Sequence, residues 1–202
     1  MINKKSGRGR PLSFDKEAAL WNATKTFWQS GYEGASIQDL TESMGLSPQS
    51  LYSAYGSKAS LYESALDLYQ ARIGNERLEE LDRVDVIDCV SALLDRCARE
   101  FTDRDLPRGC LISMGTLLCS PEHGPVSDLA KNLRLETISA IERRLEQGVQ
   151  EGQVKNVDVS TWARFFGSVM QGMSVQARDG ATYEDLGKVG RIAVEHLRGF
   201  CP

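Results

Sequence analysis

Between Ser36 and Lys58 the chain reads SIQDLTESMGLSPQSLYSAYGSK, two short helices hinged at a glycine. Ser36 stands three residues before Asp39, so its hydroxyl can accept an unpaired N–H of the first turn, as in a capping box. Ile37, Leu40 and Met44 share one helical face, and Gly45 ends that helix by supplying a left-handed backbone. Leu46 can plug the gap between the helices, Ser47 can cap the second, and Pro48 suits its first turn, where no N–H is needed. On this second helix Leu51 faces inward while Gln49, Ser50 and Ser53 point out, and Tyr52 and Tyr55 offer hydroxyls on rigid rings. Such groups match phosphates and base edges, and the outline is that of a helix-turn-helix that reads DNA.

Capped helix pairs joined by a glycine also occur in helical proteins that never touch nucleic acid. Two features favour DNA. Lys4, Lys5, Arg8 and Arg10 precede the first acid, Asp15, and make a basic arm suited to phosphates or a minor groove. Lys58, opening the next helix behind Ser57, is placed to meet the same DNA backbone.

The run from Phe27 through Gly31, Tyr32, Ser36, Ile37, Asp39, Leu40, Gly45 and Leu46 to LYSAYGSKASLY at 51–62 resembles the N-terminal domain of tetracycline-repressor-type (TetR family) transcriptional regulators. The likeness spans about the first third of the chain. It implies that Ser36 and Gln38 lie near the DNA backbone, Gln49 and Ser50 near base edges, and Tyr52 and Lys58 on phosphates. Ala54 stands where many relatives carry a phosphate-touching histidine, so one backbone contact is missing from the pattern.

The chain has 202 residues, 41% of them apolar and 26% charged, with a net charge of −4. It can bury a substantial core. Residues 1–60 hold 7 basic and 5 acidic side chains, and residues 61–202 hold 17 and 23. The positive end is the DNA end, and an acidic body discourages indiscriminate contact with nucleic acid. No export or membrane segment is legible, since the longest nearly apolar run, 109–119, is too short to span a bilayer, and a cytoplasmic location is expected. Five cysteines without a CxxC pair fit a reducing compartment.

Beyond the motif nothing alternates as a strand does, and the periodicity predicts an all-α protein of about nine helices. A three-helix head with its arm occupies residues 1–58, and a helical ligand-binding and dimerisation body occupies residues 59–202. The first helix is expected from Asp15 to Ser30, ended by Gly31, and a connecting helix from Lys58 to Leu81. Val86 to Phe101 makes a clean apolar stripe. The segment 109–119 reads as a short helix apolar all round, hence enclosed. Leu129 to Val149 form a long amphipathic helix, and two more start near Asp158 and before Leu186. Those last two carry wide apolar faces, with Phe165, Val169 and Met173 on one and Val189, Ala193 and Leu197 on the other, and are expected to form a homodimer interface. The family implies a four-helix bundle there. A two-fold dimer can address successive major grooves of a palindromic operator, its heads about 34–36 Å apart.

The resemblance also implies a small-molecule effector in the body. Apolar candidates for its site are Cys110, Met114 and Leu118 on the enclosed helix, with Trp162, Phe166 and Met170 across from it, and Arg96 or Arg99 supplying a charge. Most such stripes are simply core. No cofactor is called for, and no enzyme is legible: the two histidines are far apart, and no nucleophile stands beside a base. The expected function is therefore a dimeric regulator, typically a repressor, released from its operator by an effector. Rival readings are a cysteine-based redox or metal switch on the same scaffold, and a helical dimer that acts through protein contacts alone.

Overall fold

Each helix of the head begins at the cap its sequence offers. In the computed structural model, which describes residues 15–202, Asp15 accepts the amides of Glu17 and Ala18 and opens α1 (Lys16–Gly34). Ser36 and Asp39 close a complete capping box on α2 (Ile37–Met44), and Gly45 ends it at φ 66°. Ser47 caps α3 (Pro48–Tyr55) and Ser57 caps α4 (Lys58–Tyr69). Ala23, Phe27, Leu40, Leu51, Leu61 and Tyr62 close the small core between them. Lys5, Arg8 and Arg10 lie outside the described residues.

Gly31 breaks the path of α1 at φ 73° and ψ 172°, but one further helical turn follows, carrying the chain beyond the expected end at Ser30. The connecting helix also departs from a plain rod. After Tyr69 it widens into a π turn, Gln70–Gly74, where the Asn75 N–H reaches back to the Gln70 carbonyl, and then resumes as α5 (Asn75–Glu79) before a closing 3₁₀ turn at Glu80–Asp82. A Cβ at position 74 would meet the Gln70 side-chain amide, which lies over this glycine.

The body adds α6 (Val86–Phe101), α7 (Leu111–Met114), α8 (Gly124–Gln150), α9 (Val159–Arg178) and α10 (Tyr183–Arg198). With α4 and α5 taken as one rod, the described residues form nine helices and no strand, the all-α architecture expected. None of these helices is long and apolar enough to cross a membrane. The α6 stripe is buried throughout, with Val86, Val90, Leu93, Leu94, Cys97 and Phe101 all in the core.

Two expectations need correction. The segment 109–119 is helical only over Leu111–Met114, because Gly109 sits at φ 83°, Cys110 is extended, and turns follow Met114. Leu111 and Ile112 are buried, yet Leu117 is 58% and Leu118 94% exposed, so the helix is not enclosed and Leu118 lines nothing. In α9 and α10 the apolar residues divide into two stripes. Phe166, Met170 and Met173, with Ala193 and Leu197, turn inward and are buried in the protein's own core, so Met173, Ala193 and Leu197 are closed to a partner. The outward stripe is offset by one residue: Phe165 is 39% and Ile192 73% exposed, with half-buried Val169 and Val189 beside them.

Head and body meet on the 109–123 segment. Trp28 donates its indole N–H to the Gly109 carbonyl (3.2 Å), and the Tyr32 N–H bonds the Gly115 carbonyl (2.8 Å). A Cβ at Gly109 would lie 2.8 Å from the Ser174 carbonyl, at a backbone angle that L side chains rarely adopt. Gly109→Ala is therefore expected to cost ~1–3 kcal/mol of stability, read as a lower denaturant midpoint with an unchanged slope.

Candidate nucleic-acid interface and effector cavity

The outer surface of α3 is the head's most exposed polar face. Gln49, Ser50, Tyr52 and Ser53 are all exposed, and Leu51 alone is buried beneath them. Ser47 accepts the Ser50 N–H (3.2 Å), and the two hydroxyls lie 2.9 Å apart, which fixes the first turn of α3. On α2, Ser36 is held by Asp39, whose carboxyl lies below the usual range because the Ser36 hydroxyl and amide both donate to it. Gln38 is exposed and donates its amide to Glu42 (2.9 Å).

Two candidates for this face point elsewhere. The Tyr55 hydroxyl is buried without a hydrogen-bond partner, and burial raises its pKa, since its position at the end of α3 turns the ring under the helix. Lys58 is half-buried, its ammonium 4.6 Å from the centre of the Tyr32 ring. Desolvation lowers its pKa against the pull of nearby Glu33. In this arrangement it packs into the seam between head and body.

That seam is polar as well as aromatic. Glu33 accepts the Ser120 N–H (3.0 Å) and lies 2.6 Å from the His123 ring nitrogen, while the His123 ring meets Tyr32 edge-on at 5.1 Å. The Ser120 amide and then His123 hold the Glu33 carboxyl below its ordinary pKa. Arg178 adds a third link, donating to the Trp28 and Gln29 carbonyls at the end of the main run of α1.

In the body, a narrow, partly open cavity of about 30 Å³ lies between the rod, α7, α8 and α9. Cys110 and Met170 line it, as the sequence proposed. The other candidates are dispersed. Met114 packs near Gly109 and Phe166 is core, neither on the cavity wall. Trp162 belongs to an aromatic cluster with Phe165, Phe166, His196 and Phe200. Arg99 is exposed, bonded to Asp95 (2.8 Å) and laid over the Tyr183 ring. Arg96 is shared among Glu76, Glu80 and Glu100. A wider groove of about 800 Å³ opens between head and body beside Lys25, Ser43, Arg104 and Arg178, but it is open to solvent and largely polar.

The cavity's cations are Arg77 and Arg134, both missed by the sequence reading. Arg77 lies four residues beyond Ile73 and eight beyond Tyr69, on the inner face of the rod, in a stretch whose rising charge suggested solvation. It is buried against Glu100 (2.5 Å), the Tyr69 hydroxyl (3.4 Å) and the Cys110 sulfur (3.9 Å). Burial by itself pushes the Cys110 thiol up, but Arg77, the Tyr69 hydroxyl and Ser113 together bring it below its ordinary value. Cys97, equally buried, is pushed up to about 12. Cys89 is raised chiefly by burial while accepting from Arg144 (3.1 Å). Among the described residues no three metal-ligating side chains converge, and all five cysteines are free. Of these thiols, Cys110 alone lines the cavity.

A three-helix head with an exposed polar third helix, set on a helical body with a cavity, defines a helix-turn-helix regulator. Residues 20–65 match the family model for bacterial regulatory proteins of the tetR family, and residues 87–185 match that for the tetracyclin repressor-like C-terminal domain. The HTH-type transcriptional repressor ComR of Escherichia coli (strain K12) is 33% identical over 185 residues, covering 90% of this chain and 88% of that protein. The repressor BdcR of the same organism is 29% identical over 98% of both chains. Among solved structures, a cysteine mutant of the regulator CifR complexed with 26-bp operator DNA superposes with a TM-score of 0.88 at 37% identity, covering 92% of this chain and 98% of that one. The chain belongs to the TetR family of transcriptional regulators.

Glu100 is the only carboxylate bonded to Arg77 among the described residues. Glu100→Ala strands a buried guanidinium, and an unfolding titration is expected to show a loss of ~3–5 kcal/mol, far more than Asp95→Ala at the exposed Arg99 pair.

Proposed function

We propose that the protein is a dimeric, ligand-responsive repressor that binds a palindromic operator through α3 and is released when a small molecule occupies the body. It acts in the cytoplasm as a regulator and not as an enzyme. The head extends to residue 58 with its basic arm, and the body from residue 59 holds effector and partner. The observation that carries this reading is the exposed polar face of α3, presented by a buried Leu51 and a capped turn, in a chain whose relatives carry repressor names and whose structural neighbour was solved on operator DNA.

In this reading Gln49 and Ser50 meet base edges while Ser36, Gln38, Ser47 and Tyr52 meet the backbone. Tyr55 serves the core of the head. Lys58 contributes to phosphate binding only if it leaves Tyr32, and Lys5, Arg8 and Arg10 supply the arm. The partner surface is the outward stripe of α9 and α10, centred on Phe165, Val169, Val189 and Ile192. A hydrophobic face of this kind, unpaired within one chain, is what a two-fold interface covers.

The effector acts by differential affinity. It favours a state in which the 109–123 segment and the rod are displaced, so that the two heads no longer match successive grooves, and operator affinity falls by the coupling free energy, typically ~1–3 kcal/mol.

Selection of sites from random duplexes tests the reading. A palindromic consensus is expected, whereas binding without enrichment that vanishes at moderate salt overturns it. On the selected site, Gln49→Ala relaxes sequence preference, while Tyr52→Phe weakens specific and random DNA alike; competition titrations separate the two outcomes. Ile192→Asp buries a charge in the proposed interface and yields monomers by light scattering, with a helical spectrum unchanged.

A further inference from the structure

The cavity in the body carries an unbalanced positive charge. Arg77 is neutralised by Glu100 at 2.5 Å. Arg134 has no carboxylate partner among the described residues. Its one hydrogen bond is from Nη1 to the Ile112 carbonyl (2.7 Å), it is half-buried, and desolvation lowers its pKa. No acidic side chain lines the cavity, whose remaining wall includes Leu78, Phe101, Ile112, Ile138 and Met170. A guanidinium held against apolar groups without a counter-ion is costly, and an anion that bonds it recovers that cost.

Cys110 lies on the same wall, within reach of the other guanidinium, Arg77. Two thiols are equally buried in this region, and burial pushes Cys97 up to about 12, whereas Cys110 on the cavity wall is drawn below the ordinary thiol value. Two guanidinium groups, Arg77 and Arg134, thus line the cavity, and of the two only Arg77 has a carboxylate partner among the described residues. The polar groups present, including Gln70 and Ser113, can complete the hydrogen bonds of a carboxylate.

We propose that the effector is a small organic anion, a carboxylate with a short apolar tail, whose charged end binds Arg134 and whose tail lies along Ile112, Ile138 and Met170. This rests on the reading that the body houses the effector, and it names the effector's class. At about 30 Å³ the cavity has room for one or two waters, so such an acid enters by opening it. The side chain most exposed to displacement is Gln70, which sits in the π turn over Gly74. Occupancy then strains the two elements that also hold the head, the rod and the 109–123 segment.

The test uses Cys110 as a probe built into the site. The purified protein is treated separately with iodoacetate and iodoacetamide, alkylating agents of nearly the same size that differ in charge, and labelling of each thiol is followed by peptide mass spectrometry. Half-exposed Cys201 serves as the reference within the same molecule. The ratio of iodoacetate to iodoacetamide rates is expected to be at least roughly tenfold higher at Cys110 than at Cys201. Arg134→Gln lowers that ratio, leaving what Arg77 contributes, and Arg134→Lys retains it. The preference persists in about 1 M salt, where exposed charges are screened. Thermal melts of both variants establish that they fold; should Arg134→Gln fail to do so, the salt series on the native protein decides. A ratio at Cys110 no higher than at Cys201, its collapse in salt, or a Cys110 that neither reagent reaches overnight overturns the proposal. No DNA enters the assay, so its failure leaves operator binding, measured by site selection, to stand or fall on its own.

Discussion

Tyr32 gives its backbone N–H to the carbonyl of Gly115, and this bond is possible because Gly31 turns the chain out of α1 at a positive φ just before it. The space is tight: a Cβ on Gly31 would lie 3.3 Å from the same Gly115 oxygen. Around this contact cluster the indole of Trp28 on Gly109, the carboxylate of Glu33 on Ser120 and His123, and Lys58 over Tyr32. A head that docks through backbone groups in fixed directions has few alternative seats. Its orientation is set by wherever the 109–123 segment happens to be.

That segment has two clients. Cys110, Ile112 and Ser113 form a wall of the body's cavity, and Gly109 together with the residues from Gly115 to His123 holds the head. Only Met114 separates Ser113 from Gly115, too short a piece to absorb a displacement internally. The rod provides a parallel connection, since its α4 segment packs on α1 at one end, while its π turn and α5 bear Gln70 and Arg77 on the cavity at the other. Two links from one cavity to one head are the physical substrate that coupling between sites requires.

Much of this was legible in the sequence because it was written locally. Ser36, Gly45, Ser47 and Ser57 announce caps and turns within a few residues of where they act, and the buried α6 stripe follows from helical period alone. What the sequence concealed depends on partners far along the chain. Arg77 reads as a solvated charge until Glu100, 23 residues later, is seen to bury it. Leu118 reads as core, but the turn that begins at Gly115 throws it outward. In α9 and α10, inward and outward stripes differ by one residue, about 100° of rotation, and periodicity does not say which stripe the protein's own core claims. Helical period alone therefore puts Met173, Ala193 and Leu197 on a partner surface and overlooks Ile192.

The size of the cavity decides how these parts must work together. A preformed pocket would admit an effector without moving anything, and a ligand that binds both states equally shifts no equilibrium. Here the cavity is small, and the groups around it already have partners: Arg77 bonds Glu100, the Cys110 N–H bonds Ser174, and half-buried Arg134 makes its single bond to the Ile112 carbonyl. An effector therefore pays for its site by disturbing the walls, and the walls are the elements to which the head is tied. The Arg134 bond is the one most readily exchanged, because a carboxylate is a better acceptor for a guanidinium than a carbonyl is. Releasing Ile112 from Arg134 loosens the same short segment whose Gly115 carbonyl holds Tyr32. In the proposed mechanism, binding energy gained at the guanidinium is spent at the seam between body and head.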